Sequence, residues 1–375
     1  MRRFGLFFLL LMLVSSFAWA QKKTVAPFVM PSARFSALGG MHTTMADDFY
    51  SIFLNPAGFA SVKEQFSAAE ITLSTYGPMF EIIDLFRNNS GSIEDLDISS
   101  LMGPGGLAAG FDMGGPLSLG WVGRGLGLGI FNRIVTTAAA SGTYIRPVVA
   151  AELLFVGGYG FRVLNIKGHS HLDAGFLAKG FFRGLLNMKT SIFSLDSIDP
   201  TGSPFDTNLG FGLDAGVKFN FRDMLSFAMV CYDVYSPVLV TTYIEFSDFG
   251  SGSSASPDYA TVQRRLDFGA SYHLRTEFLE RYISRLSFML SYNNFLDLFA
   301  LIPRNAILNI GFGVELVLLN ALTFRVGLTD ALPAFGIGLD LTFMKMDIAI
   351  FGRELGFDPG MQSVYAMSIG LLFRY

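Results

Sequence analysis

Few side chains in this sequence are spaced for chemistry, and those that are fall into two groups. His169 and His171 lie two residues apart, which in a strand puts them on one face with Asp173 next along it. Two imidazoles and a carboxylate in that pattern could hold a zinc ion, but His273 is the only other histidine in a strand-like stretch and no cysteine cluster joins them, so no metal site is expected. Cys231 is the single cysteine, which excludes an internal disulfide and reads as a small hydrophobe in an apolar stretch. The second group is Asp47 and Asp48, at the head of residues 46–60, ADDFYSIFLNPAGFA. Adjacent carboxylates can cap a helical turn at its positive end or pair with a cation, and we expect one of each. The G-x-S-x-G elbow, the H-E-x-x-H pair and the phosphate-binding P-loop are all absent from the sequence, so it reads as no enzyme and as needing no cofactor.

The elements that must hold the two aspartates are short. Phe49, Tyr50, Ile52, Phe53 and Leu54 form a helical turn that Pro56 ends by removing a backbone donor, and Asn55, before proline, is pushed out of the helical region. An apolar turn of this length cannot stand alone in water, so it should be a plug inside something larger. Together with residues 31–40, PSARFSALGG, it resembles the hatch of the outer-membrane long-chain fatty acid transporter family, the FadL/TodX type. That family has an Ala-acid-Asp run, about six mixed residues and then Asn-Pro-Ala-Gly; here these are Ala46, Asp47, Asp48, then Asn55, Pro56, Ala57 and Gly58. Residues 32–40 also resemble the secretion-linked PorV branch and an uncharacterised spirochaetal branch. Phe49 and Tyr50 stand where those relatives have small residues.

The first twenty residues form a cleavable secretory signal: Arg2 and Arg3, an apolar run, and Ala18-Trp19-Ala20 as the cleavage site. The chain is 51% hydrophobic and 15% charged, with 41 Gly and 39 Phe among 375 residues, a membrane composition. Beyond the signal no uncharged apolar run reaches the length of a spanning helix. Backbone in lipid must satisfy itself internally, and the alternative to helices is a closed barrel. The net charge of −4 and the lack of a basic patch exclude nucleic acid as a partner.

Alternation carries the fold. Phe211, Leu213, Ala215, Val217 and Phe219 share one face against Gly212, Asp214, Gly216 and Lys218; Ile310, Phe312, Val314 and Leu316 oppose Gly311, Gly313 and Glu315. Large apolar residues on one face and glycine with scattered charge on the other suit lipid outside and a crowded lumen inside. About fourteen such segments are readable, joined by tight turns at Arg124-Gly125, 220–223, Leu319-Asn320 and Met344, and by long connections at 76–115, 183–207, 233–263 and 353–364, the first carrying a short amphipathic helix at 79–87. The expected organisation is a signal peptide over 1–20, a hatch over 21–65 and an all-β, antiparallel transmembrane barrel over 66–375, in the outer membrane of a diderm bacterium. Lumen charges Glu152, Asp214, Lys218, Asp267, Glu315, Arg325 and Asp340 are the candidates to meet a hatch carboxylate. The chain stops on Met367, Ile369, Leu371, Phe373 and Tyr375, one apolar face ending in an aromatic; Phe373 and Tyr375 are expected to be read by the outer-membrane assembly machinery.

The resemblance implies uptake of a hydrophobic small molecule, a long-chain fatty acid in that family, leaving sideways into outer-membrane lipid. The rival expectation is a barrel that binds protein partners, as a secretion shuttle or surface adhesin, without transport. Residues 112–129 hold Pro116 and seven glycines and break the strand pattern more than any other segment, so Gly114, Gly115 and Pro116 are the expected site of a wall kink.

Overall fold

The computed structural model describes residues 23–78, 106–166, 169–191, 199–251, 256–274 and 283–374. The signal peptide, the helix expected at 79–87 and Tyr375 lie outside them.

Fourteen wall strands are found among the described residues, each pairing antiparallel with the next. They are β1 (Gln65–Tyr76), β2 (Leu107–Gly114, resumed as Leu119–Gly123), β3 (Leu126–Ser141), β4 (Tyr144–Ile166), β5 (Ser170–Asn187, with Thr190–Ser191 continuing it), β6 (Phe205–Phe221) and β7 (Leu225–Tyr235, resumed as Pro237–Tyr243). They continue with β8 (Ser256–Val262, resumed as Arg265–Leu274), β9 (Ile283–Tyr292), β10 (Ile310–Leu318), β11 (Leu322–Thr329), β12 (Leu332–Leu341), β13 (Met344–Glu354) and β14 (Ser363–Arg374). The ladder from β14 to β1, Ala366 opposite Tyr76 through Arg374 opposite Ser67, closes the sheet, so no long edge is left.

The side-chain period of two sorts the wall as expected. On β6, Phe211 and Leu213 are exposed on the outside while Gly212, Asp214, Gly216 and Lys218 are buried on the inside. On β10, Phe312 faces out and Glu315 is buried. Buried charge thus lies on the lumen side, and it is paired: Lys179 Nζ reaches Asp214 and Asp233 at 2.8 Å each, and Arg133 meets Asp112 at 2.7 Å.

Two connections, 76–115 and 233–263, are shorter than expected. Leu107–Gly114, Pro237–Tyr243 and Ser256–Val262 are strands rather than loop. Four of the seven residues of Ser256–Val262 are exposed, including Tyr259, so residues 256–259 are open on both faces and have no reason to alternate, while Ala260 and Val262 are buried. The wall is also uneven in height: β4 has 23 residues and β11 has 8. Beneath the taller wall the chain's own Thr24–Val25 pairs in parallel with Thr261 and Val262, on the edge that β9 leaves unpaired.

Candidate functional site

Residues 30–62 form no strand, yet they are among the most buried of the molecule: Ala37, Leu38, Ala46, Leu54, Asn55, Ala57 and Phe59 all have no exposed surface. Two short helices, α1 (Ala33–Ala37) and α2 (Ser51–Leu54), and a 3-10 turn (Pro56–Ala60) carry them. Their partners run right round the wall. Tyr50 Oη donates to Glu70 on β1 at 2.9 Å, and Phe49 packs against Gly120 on β2. Phe59 fits against Gly127 and Gly158, Pro56 against Gly160 and Gly175, and Asn55 against Gly216, on β3 to β6. Tyr232 of β7 donates to the Leu54 carbonyl at 2.7 Å, and Thr43 lies over Gly269 of β8. Gly39 sits against Gly311 and Gly327, and Ala37 against Gly336, on β10 to β12. A segment touching strands on all sides of a closed barrel lies within it.

Glycine on the lumen face is where this segment touches the wall. A Cβ at Gly175 would overlap the Pro56 carbonyl, one at Gly216 the Asn55 side chain, and one at Gly327 the backbone of Leu38 and Gly39. The glycine-rich faces seen in the sequence are therefore a footprint, made by close backbone approach.

The Asn-Pro-Ala-Gly run has a local logic of its own. Asn55 is extended (φ −166°, ψ 114°) and its Oδ1 accepts from Ala57 N at 2.9 Å, capping the 3-10 turn, in which Pro56 occupies the first position, where no donor is needed. The Asn55 amide donates to the carbonyls of Thr43 (3.3 Å) and Val217 (3.2 Å), tying two parts of the segment to β6. Gly58 lies so close to Ala46 that a side chain would meet its carbonyl oxygen at 2.5 Å.

The two aspartates divide their work. Asp48 Oδ1 accepts from Tyr50 N at 3.0 Å, and its Oδ2 meets Arg34 at 2.5 Å. Asp47 reaches the wall at Arg285 of β9, at 3.4 Å. Of the expected wall charges, Glu315 proves to be a hub: it takes Arg34 at 3.2 Å, Arg285 at 2.6 Å and Arg325 at 2.9 Å, and Arg325 in turn meets Asp347 at 2.5 Å. Lys218 donates to the Ala46 carbonyl at 3.2 Å. Glu152 pairs with Arg133 and Arg183, Asp214 with Lys179, Asp267 with Arg265 and Asp340 with Lys345, all within the wall. Arg34 and Arg285 carry the contact and were not among the expected residues. A polar cavity of about 390 Å³ lined by Arg34, Arg285, Glu315, Arg325, Lys345 and Asp347 lies on this side of the segment. On the opposite side Phe53 meets Phe131 at 4.7 Å between ring centres, within an apolar cluster of Phe49, Ile52, Phe59, Leu154, Leu177 and Phe181.

Gly114, Gly115 and Pro116 lie where β2 is interrupted, between Gly114 and Leu119. Ladder pairing to β1 stops at Thr72 opposite Gly114 and resumes at Ser67 opposite Gly120, so residues 68–71 of β1 have no ladder partner on that side. On the β3 side the gap is stitched: Gly115 N and Leu117 N donate to the backbone and side-chain oxygens of Asn132 at 3.0 and 2.9 Å. Leu117 is 66% exposed and points outward, while Met30 and Pro31 back Gly114 and Phe49 backs Gly120 from within. The histidines stay apart: His171 bonds Asn220 at 2.8 Å and Asp173 at 3.4 Å, His169 is exposed, and His273 bonds Ser287. Among the described residues no three metal-ligating side chains converge. Phe373 faces outward near the end of β14.

No protein-family model matches the sequence, and no curated protein does. Solved structures do. The CymD monoaromatic hydrocarbon channel superposes with a TM-score of 0.49 at 11% identity, over 94% of this chain and 99% of that one. A FadL homologue of Pseudomonas aeruginosa gives 0.46 at 11% identity (94% and 98%), and the Ralstonia pickettii toluene transporter TbuX gives 0.48 at 11% (94% and 98%). The chain resembles the FadL-type channels in fold.

Proposed function

We propose that the chain is an outer-membrane channel for hydrophobic small molecules, in which the buried N-terminal segment is the hatch and cargo leaves sideways through the interruption in β2. The observation that carries this reading is the pairing gap at residues 68–71 of β1, backed by the apolar side chains of Met30, Pro31 and Phe49. Inside the lumen, Phe28, Met30, Met41 and Phe53 line a cavity of only about 40 Å³ between the hatch and the wall, which is below the volume of any such cargo. The described conformation is thus a closed one, and passage requires the hatch to shift. In this reading residues 1–20 are the removed signal, 21–65 the hatch and 66–375 the barrel, with Phe373 and Tyr375 forming the assembly signal. The cargo class is a long apolar chain with at most one polar group, of which the long-chain fatty acid that the resemblance implies is one member.

The test is an engineered disulfide between β1 and residues 115–118, in a Cys231→Ser background, with uptake of a labelled long-chain fatty acid measured in cells. A formed crosslink should stop uptake and reduction should restore it; uptake unchanged by the crosslink rejects the lateral route. A second reading, a barrel that docks a protein partner, is favoured by one feature. Arg304 clips two connections together through Asp330 (2.8 Å) and the carbonyls of Glu354 and Gly356, leaving Phe299, Leu301, Ile302, Phe357 and Met361 exposed at the end that bears the long loops. No uptake by the parent protein would favour this reading.

A further inference from the structure

The inner side of the β2 interruption is not apolar throughout. At that height the lumen face of β1 presents Ser67 and Glu70, both 1% exposed, and the interrupting segment contributes Ser118, which has no exposed surface. Ala68 is an extra residue between the rungs Arg374–Ser67 and Phe373–Ala69, so β1 bulges toward β14 where it also lacks a partner on β2. Glu70 Oε1 accepts from Tyr50, but among the described residues its Oε2 has no hydrogen-bond partner, nor have Ser67 Oγ and Ser118 Oγ. No salt bridge reaches Glu70 among the described residues, although Glu152, Asp173, Asp214, Asp267, Glu315 and Asp347, also buried, each have one. A buried acceptor left unmade is costly, and structures keep one where something else satisfies it.

From this we infer that the cargo of the proposed lateral route is an apolar chain bearing an uncharged hydrogen-bond donor, an alkanol in its simplest form, rather than an ionised acid or a bare hydrocarbon. The inference rests on the lateral-exit reading and narrows it. As the hatch shifts and Tyr50 leaves, a hydroxyl entering between Met30 and Phe49 meets the Glu70 carboxylate, with the two serine hydroxyls at the same height, while its alkyl chain follows Leu117 outward into lipid. An ionised carboxylate entering the same gap meets a carboxylate with no cation beside it. A bare alkane leaves the acceptors unpaired.

The experiment compares uptake of radiolabelled dodecanol, dodecanoate and dodecane at pH 7.5 in cells with the mature protein in their outer membrane and in cells without it. Protein-dependent uptake of dodecanol should exceed that of dodecanoate by about tenfold, the size expected for one hydrogen bond to a charged group. Glu70→Leu should bring the ratio close to one, whereas Glu70→Gln, which keeps an acceptor, should retain most of it; Ser118→Ala should lower it partly. Heat-modifiable gel mobility confirms that each variant is a folded barrel. A parent ratio of one or less, or a ratio unmoved by both Glu70→Leu and Ser118→Ala, overturns the inference while leaving the lateral route intact. If none of the three compounds enters faster than in cells lacking the protein, the channel reading fails and takes the inference with it.

Discussion

The buried N-terminal segment, the proposed hatch, meets the wall in two different ways on its two sides. Toward β2 to β5 the contact is dry: Phe49, Phe53 and Phe59 fit between Phe131, Leu154, Leu177 and the glycines of three strands. Toward β9 to β13 it is ionic: Arg34 and Asp47 enter a cluster centred on Glu315, beside the polar cavity of about 390 Å³. Dispersion and burial fall off smoothly as surfaces slide, whereas an ion pair in a low-dielectric site is either made or leaves a costly charge behind. If the proposed hatch moves, the ionic side should therefore act as the catch and the aromatic side as the bearing surface.

The comparison can be broken most forcefully at Glu315. Glu315→Ala leaves the guanidiniums of Arg34, Arg285 and Arg325 without their shared partner and should destabilise hatch seating by about 3–5 kcal/mol. Hydrogen exchange of residues 31–60 in the folded barrel should then rise by orders of magnitude; exchange equal to the parent's would mean that the cluster does not hold the hatch. Phe59→Ala, on the dry side, should cost about 3 kcal/mol through the cavity it leaves, with exchange rising most around residues 52–60 and unaffected by salt. A response to ionic strength as large as that of the Glu315 variant would erase the distinction between the sides.

Smaller changes sharpen it. Lowering the pH should loosen the segment, because burial holds His42, whose ring meets the Leu38 carbonyl at 2.8 Å, at a pKa of about 4, against its ordinary 6.5. A displaced hatch exposes His42 and binds a proton that the seated hatch refuses, so seating is at full strength above about pH 6.5 and weakens progressively as pH falls toward 4. His42→Gln should flatten that dependence, which exchange at pH 7 and pH 5 would show. Last, Pro56→Ala should loosen residues 46–60 by about 0.5 kcal/mol, since a preset turn is lost and the displaced state gains freedom. Protection identical to the parent's would make Asn55 alone the organiser of the turn.

Much of this was legible in the chain. A wall with lipid on one face and a crowded lumen on the other must alternate, and Phe211 to Phe219 and Ile310 to Leu316 do so because each neighbour in sequence faces a different medium. Where both faces are exposed, as over residues 256–259, the pattern has no cause and the strand is not legible. The same holds for Leu107–Gly114, where small residues blur the contrast between faces. The Asn-Pro-Ala-Gly turn was readable because its cap and its proline act within four residues. The ion cluster was not, since Arg34 and Glu315 are separated by 281 positions and nothing local marks Arg34 for a partner so far away.

The pairing of Thr24–Val25 with Thr261 and Val262 has a mechanical consequence. With Thr261 N and Gln263 N donating to Lys23 O and Val25 O at one end, and β1 beginning at Gln65 at the other, the intervening stretch is a rope belayed at both ends inside a rigid tube. A cork can be expelled; a rope so fixed can only be plucked. Whatever opens this barrel must do so by bowing the stretch between two anchors, with slack gathered from its own turns, and a displacement imposed near one anchor is felt as tension at the other.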